Sequence, residues 1–185
     1  MTFVILIKQH ILYHQPSPGH YMRINEEKYV DLLMYILFKC SNKPNLGKTV
    51  LCTVMYFADF NYYELYGKYL TKETYIKSKK GIKPKHFHKI TSKLIDKNQL
   101  FLRKEDYYNR IIHRYYPTVI PILNFNRKEL MVINSCISKL SDNNATSITK
   151  YARFDTPLMK TQMGGEIDYH DVFLRDKTYS IMCNK

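Results

Sequence analysis

A chain of 185 residues with 45% hydrophobic and 24% charged side chains has the length of one domain and the composition of a folded one, which excludes the disordered class and allows a core of its own. Its 29 Lys and Arg against 16 Asp and Glu leave a formal charge of +13. Such a field attracts nucleic acid, an acidic membrane or an acidic protein face without choosing among them. Seventeen tyrosines and no tryptophan also fit a background rich in Lys, Asn, Tyr and Ile, in which basicity carries no binding purpose.

The chain opens on the apolar run Phe3-Val4-Ile5-Leu6-Ile7, followed by Lys8, Gln9 and His10. The run is too short to span a bilayer and lacks the basic flank of a signal peptide, so the expectation is a cytoplasmic protein with no membrane partner. Gln15-Pro16-Ser17-Pro18-Gly19 breaks this segment from a better-patterned stretch that begins at Met22. Residues 1–21 therefore read as an N-terminal extension upstream of a native start at Met22, and 22–185 as a single domain. Cys40, Cys52, Cys136 and Cys183 lie far apart with no CxxC pair, and read as reduced core thiols.

Asn25, followed by Glu26 and Glu27, starts a first helix in which Tyr29, Val30, Leu33, Leu37 and Cys40 recur at helical spacing up to Pro44. A second helix is predicted from about Leu46 to Tyr66, with Val50, Leu51, Val54, Ala58, Tyr62 and Leu65 inward and Gly67 as its left-handed stop. A connector runs from Tyr69 to Gly81. The third helix starts near Pro84, with Phe87, Ile90 and Leu94 on one face and Lys85, His88, Lys89, Ser92 and Lys93 mostly outward. Leu100–Arg103 and Ile111–Tyr115 are rich in strand formers and flank a polar span, which reads as a hairpin. Asn126 with Glu129 forms a capping box for a fourth helix buried through Leu130, Ile133, Ile137 and Leu140. The tail reads as short helices broken at Pro157 and Gly164-Gly165. The class is mainly α, of the α+β kind, a compact helical domain with one small hairpin after the third helix, winged-helix-like in that part.

Catalytic and metal-binding patterns are weak. Gly47-Lys48-Thr49 resembles the end of a phosphate-binding loop, but the position of that loop's first glycine is Asn42 and the segment leads out of a helix, not a strand. His10 and His14 share a helical spacing without a carboxylate or cysteine to complete a metal site, and His86 and His88 point to different helix sides. Asp59, inside the apolar run Met55 to Phe60, reads as a structural carboxylate held by Thr71, Tyr75 or a backbone amide, because a buried carboxylate needs donors. No nucleophile and base pair together, so no enzyme activity, catalytic residue, metal or cofactor is assigned.

The sharpest charge feature is Lys77, Lys79, Lys80, Lys83, Lys85, Lys89 and Lys93, a tract with no acid among them. A loop and helix face followed by a hairpin has the layout of a recognition helix with a wing, making Lys79, Lys80, Lys85, Lys89 and Lys93 candidates for nucleic-acid contacts. The tract lacks the Arg and Asn that read bases, and a lysine run is also an ordinary solvated face.

The string Gly47-Lys48-Thr49 through Met55-Tyr56-Phe57-Ala58-Asp59-Phe60-Asn61-Tyr62-Tyr63-Glu64, then Tyr66-Gly67-Lys68-Tyr69-Leu70-Thr71 and Thr74-Tyr75-Ile76, resembles the signature of the Panacea domain, the SocA-like antitoxin family. Gly81-Ile82-Lys83-Pro84 keeps the outer residues of that family's Gly-Pro-Val-Pro turn. The resemblance continues through Leu140-Ser141-Asp142, Ala145-Thr146, Tyr151, Asp155-Thr156-Pro157 and Gly165-Glu166-Ile167-Asp168-Tyr169. Ala152-Arg153 and Pro157-Leu158 stand where the family usually has Ser-His and Pro-Trp. The resemblance implies a phage- or mobile-element-associated antitoxin whose partner is a cognate protein toxin encoded beside it, neutralised by direct contact. It implies no cofactor. Asp59, Tyr63 and Gly67 are then structural motif residues, and Tyr75, Gly81, Lys83, Pro84, Arg153, Asp155, Pro157 and Leu158 are the candidate toxin-contacting set. A DNA-binding regulator using the lysine-rich helix and wing is the alternative.

Overall fold

The structure, a computed structural model, describes residues 23–122 and 124–182. The expected extension at 1–21, the start at Met22, the His10–His14 pair and Cys183 lie outside the described residues. The fold is α+β and mainly helical, with two small antiparallel hairpins.

Helix α1 spans Glu26–Lys39 and is capped by the Asn25 side chain, which accepts from the Lys28 amide at 3.1 Å. Helix α2, Lys48–Tyr66, is the axis of the molecule. From Val50 to Phe60 every residue is buried, so α2 presents an apolar surface all round, not a single stripe, and needs neighbours on every side. It finds them in α1, the fourth helix, the fifth helix and both hairpins. Gly67 ends it at φ +61°, with its amide bonded to the Tyr63 carbonyl at 2.8 Å; this left-handed stop suits glycine.

The segment read as a connector contains a second hairpin. Strands β1, Tyr75–Ser78, and β2, Gly81–Pro84, pair antiparallel with Tyr75 opposite Pro84 and Ser78 opposite Gly81. Pro84 is therefore the last residue of a strand, and helix α3 starts later, at Phe87–Asp96. Gly81 adopts φ +110°, which only glycine tolerates well.

Strands β3, Leu100–Asp106, and β4, Ile111–Pro117, form the hairpin expected after the third helix. Helix α4, Arg127–Leu140, begins with the Asn126–Glu129 capping box and packs on α2. Helices α5, Ala145–Arg153, and α6, Thr156–Lys160, follow; Pro157 stands in the first turn of α6 and so opens that helix. A 3₁₀ helix, Tyr169–Leu174, closes the described chain onto α2 and α6.

The tail is stitched to β1. The Ile167 amide bonds to the Tyr75 carbonyl at 2.8 Å, the Lys77 amide to Gly165 at 3.0 Å and the Gly164 amide to Lys77 at 2.9 Å. Cys40, Cys52 and Cys136 are buried free thiols, and burial pushes Cys52 and Cys136 up to about 12, where a thiol is inert. No helix among the described residues is long and apolar enough to cross a membrane.

Candidate functional site

Two buried polar clusters brace α2. In the first, Asp59 is fully buried and accepts from the Thr71 amide at 2.9 Å, the Thr71 hydroxyl at 2.7 Å and the Tyr75 hydroxyl at 2.5 Å. Desolvation outweighs these donors and pushes the carboxyl up to about 7. Glu73 lies beside it, fully buried, bonded to His86 Nδ1 at 2.9 Å and raised above the usual carboxylate range by burial. Tyr63 donates to or accepts from His170 Nε2 at 3.0 Å, tying α2 to the 3₁₀ helix.

In the second cluster Arg175 makes a bidentate pair with Asp155, each N–O distance 2.8 Å, and reaches Glu64 and Asn61 from its third nitrogen, also at 2.8 Å. Tyr56 donates to Asp155 at 2.7 Å, and Ser180 donates to Glu64 at 2.6 Å. Every polar atom of this core cluster has a partner of the right sign, which buried charge requires.

These contacts divide the candidate toxin-contacting set. Tyr75, Gly81, Pro84, Asp155, Pro157 and Leu158 are buried, so they cannot offer side chains to a partner without unfolding the surface. Tyr75 serves Asp59, Asp155 serves Arg175, and Leu158 and Pro157 pack in the core. Lys83 and Arg153 are exposed.

The lysine tract divides as well. Lys77 Nζ donates to the carbonyls of Leu158 and Thr161, at 2.8 Å each, and so caps the end of α6. Lys85 pairs with Glu166 at 3.0 Å and Lys93 with Glu26. Lys79, Lys80 and Lys89 are exposed.

Gly47-Lys48-Thr49 sits at the start of α2 with no strand before it. Gly47 is the N-cap and supplies no capping side chain. A Cβ on Gly47 would meet Ile112 Cβ at 3.4 Å, so β4 lies against the helix start, while Lys48 Nζ stands 5.0 Å from the centre of the Phe87 ring. The glycine thus lies in ordinary packing contact with the β3–β4 hairpin.

That packing leaves a groove of about 970 Å³ between the start of α2, the outer end of β3–β4 and α5. Lys48, Lys80, Arg110, His113, Lys150 and Arg153 line it together with Ile111, Ile112 and Phe154, and among the described residues that line it there is no Asp or Glu. The positive end of α2, whose first turn carries no acid, adds to the same field. Arg153 from the toxin-contacting set and Lys80 from the nucleic-acid set meet here. Arg110, His113 and Lys150 belong to neither, because they come from segments distant in sequence that only the fold joins. Among the described residues no three His, Cys, Asp or Glu side chains gather as a metal site would need.

The family model for the antitoxin SocA-like Panacea domain matches residues 51–156, more than half of the chain. The chain belongs to this family. The matched span of the Panacea domain runs from the first turn of α2 to the start of α6, and so takes in Asp59, Tyr63, Gly67, both hairpins and α5. Arg175, the cation of the second buried cluster, lies beyond it. No curated protein and no solved structure matches the chain.

Proposed function

We propose that this Panacea-domain protein is an antitoxin that neutralises a toxin encoded beside it by direct protein–protein contact in the cytoplasm, with no chemistry of its own. The observation that carries the reading is the antitoxin family match over residues 51–156. It is supported by the exposure of Lys83 on β2 and Arg153 at the end of α5, where charge-assisted contacts to acidic groups of a partner are open. Co-expression with the product of the neighbouring reading frame tests it. Growth rescue and a complex that co-elutes on size exclusion are expected, whereas neither rescue nor complex overturns it. Replacing Lys83 and Arg153 by Ala weakens the complex by a few kcal/mol, on the scale of interface hot spots, while the melt stays unchanged.

A DNA-binding regulator is the second reading, supported by exposed Lys79, Lys80 and Lys89 ahead of and along α3. Three of the seven tract lysines instead hold intramolecular contacts, which leaves fewer cations for phosphates. DNA affinity that falls steeply with salt, by counterion release, would favour this reading over the first.

A further inference from the structure

We infer that the groove between the start of α2, the β3–β4 hairpin and α5 receives a partner segment in which carboxylates and apolar side chains alternate. The inference rests on the antitoxin reading and adds the docking face and the chemistry of the segment that fills it.

Charge is the first argument. Several cations elsewhere on this surface are neutralised in place: Lys28 by Glu129, Lys43 by Asp142, Lys160 by Asp171 and Arg114 by Glu105. In the groove Lys80, Arg110, Lys150 and Arg153 have no carboxylate partner among the described residues. A concave wall of one sign focuses the field and favours an anionic occupant. Arg110 and Arg153 carry the planar fork that takes a carboxylate through two parallel bonds.

Apolar surface is the second. Ile111 is 73% exposed and Phe154 58% exposed, and both line the groove beside half-buried Ile112. Covering such side chains is favourable by roughly 25 cal/mol per Å² removed from water. An extended peptide meets both demands, since alternate side chains can address the cations and the isoleucines in turn. A nucleic-acid strand would satisfy the cations and has Phe154 to stack on, but it would leave the aliphatic Ile111 and Ile112 without an apolar cover, which the peptide supplies. Only Lys80 of the seven-lysine tract lines the groove, so the groove is a separate feature from that tract.

Fluorescence anisotropy with a labelled synthetic peptide of alternating Glu and Leu, and separately with single-stranded oligothymidine, tests the inference on the full chain. The parent is compared with Arg110→Ala, Arg153→Ala and with a control carrying Lys68→Ala and Lys177→Ala, exposed lysines outside the groove. Peptide binding is expected in the parent and the control, and at least about tenfold weaker in the groove variant, as for anchoring interface cations. No peptide binding, or binding indifferent to the groove substitutions, overturns the inference. Oligothymidine bound more tightly than the peptide in a groove-dependent way overturns it in favour of nucleic acid. Co-expression separates this inference from the reading beneath it. If the parent protects against the toxin and the groove variant protects equally, the groove is misassigned and the antitoxin reading stands. If the parent gives no protection yet binds the peptide through Arg110 and Arg153, the antitoxin reading fails and the acidic-segment site stands.

Discussion

Asp59 couples the stability of this protein to pH in a direction opposite to that of a salt-bridged aspartate. In the unfolded chain its proton leaves near pH 4, the ordinary value for the side chain. In the folded chain burial holds the proton until about pH 7. Between those values the folded state binds more protons than the unfolded one, so stability is greatest at the acid end and falls as pH rises through 7. Urea unfolding at pH 5 and pH 8 should show the parent more stable at pH 5 by an increment that is smaller in Asp59→Asn; Glu73, also raised, couples to Asp59, so Glu73→Gln in both backgrounds isolates the Asp59 contribution. Asp59→Ala should lower stability by about 1 to 3 kcal/mol, because Thr71 and Tyr75 are left as buried donors without an acceptor. Arg175→Met removes the cation shared by Asp155 and Glu64, and should cost roughly 3 to 5 kcal/mol, the scale for a buried charge stripped of its partner. A melt of Arg175→Met equal to the parent's would show that those carboxylates find another donor or stay protonated. Asp59 was legible from sequence because its donors lie within sixteen positions and the apolar run around it requires them. Arg175 was not, because an arginine in a polar tail looks solvated until the fold sets it 111 positions from Glu64 in sequence and 2.8 Å in space.

At the scale of elements, helices were readable wherever a local signal ends them. Asn25, the Asn126–Glu129 box and Gly67 each act through bonds within one turn, so their chemistry is complete in a short window. The β1–β2 hairpin had no such signal: its strands have four residues each, Lys79-Lys80 is not a turn pair with a known preference, and its outer edge is satisfied by Gly164–Ile167 about ninety positions away. The same long-range stitching sorts the lysines. Reversing Lys79, Lys80 and Lys85 to Glu should change stability by less than about 1 kcal/mol, since Lys79 and Lys80 are exposed and the Lys85–Glu166 pair is a surface one. Lys77→Ala should cost about 1 to 3 kcal/mol, because two carbonyls at the end of α6 lose a charged donor. Thermal melts of the two variants side by side check the ordering, and the reverse order would mean that the tract's stabilising lysine has been misplaced.

For the molecule as a whole, the groove joins residues near 47, 110 and 150, and no window of sequence contains it. Sequence reasoning reached Arg153 through a family departure and Lys80 through a charge run, but Arg110 and Lys150 became neighbours only when β4 settled on Gly47 and α5 on α2. The matched family span stops at 156, yet the fold does not. A chain ending at Lys160 would keep α1 to α6 while leaving Asp155 and Glu64 without Arg175 and β1 without its neighbour at 164–167. Such a truncation should lose the cooperative melt expected of the full chain, as measured by circular dichroism, and a truncated chain that melts cooperatively would place the limit of the folding unit at α6.

Arg175 is also synthesised after both carboxylates that it serves, Glu64 and Asp155. Domains begin to fold as they leave the ribosome, N-terminal part first, but here the central helix emerges early with Glu64 and later Asp155 facing a cavity whose cation has not yet been translated. Until the segment carrying Arg175 clears the exit tunnel, α2 has acidic groups without their cation. Emergence of Arg175 is therefore the step at which this polar core can close.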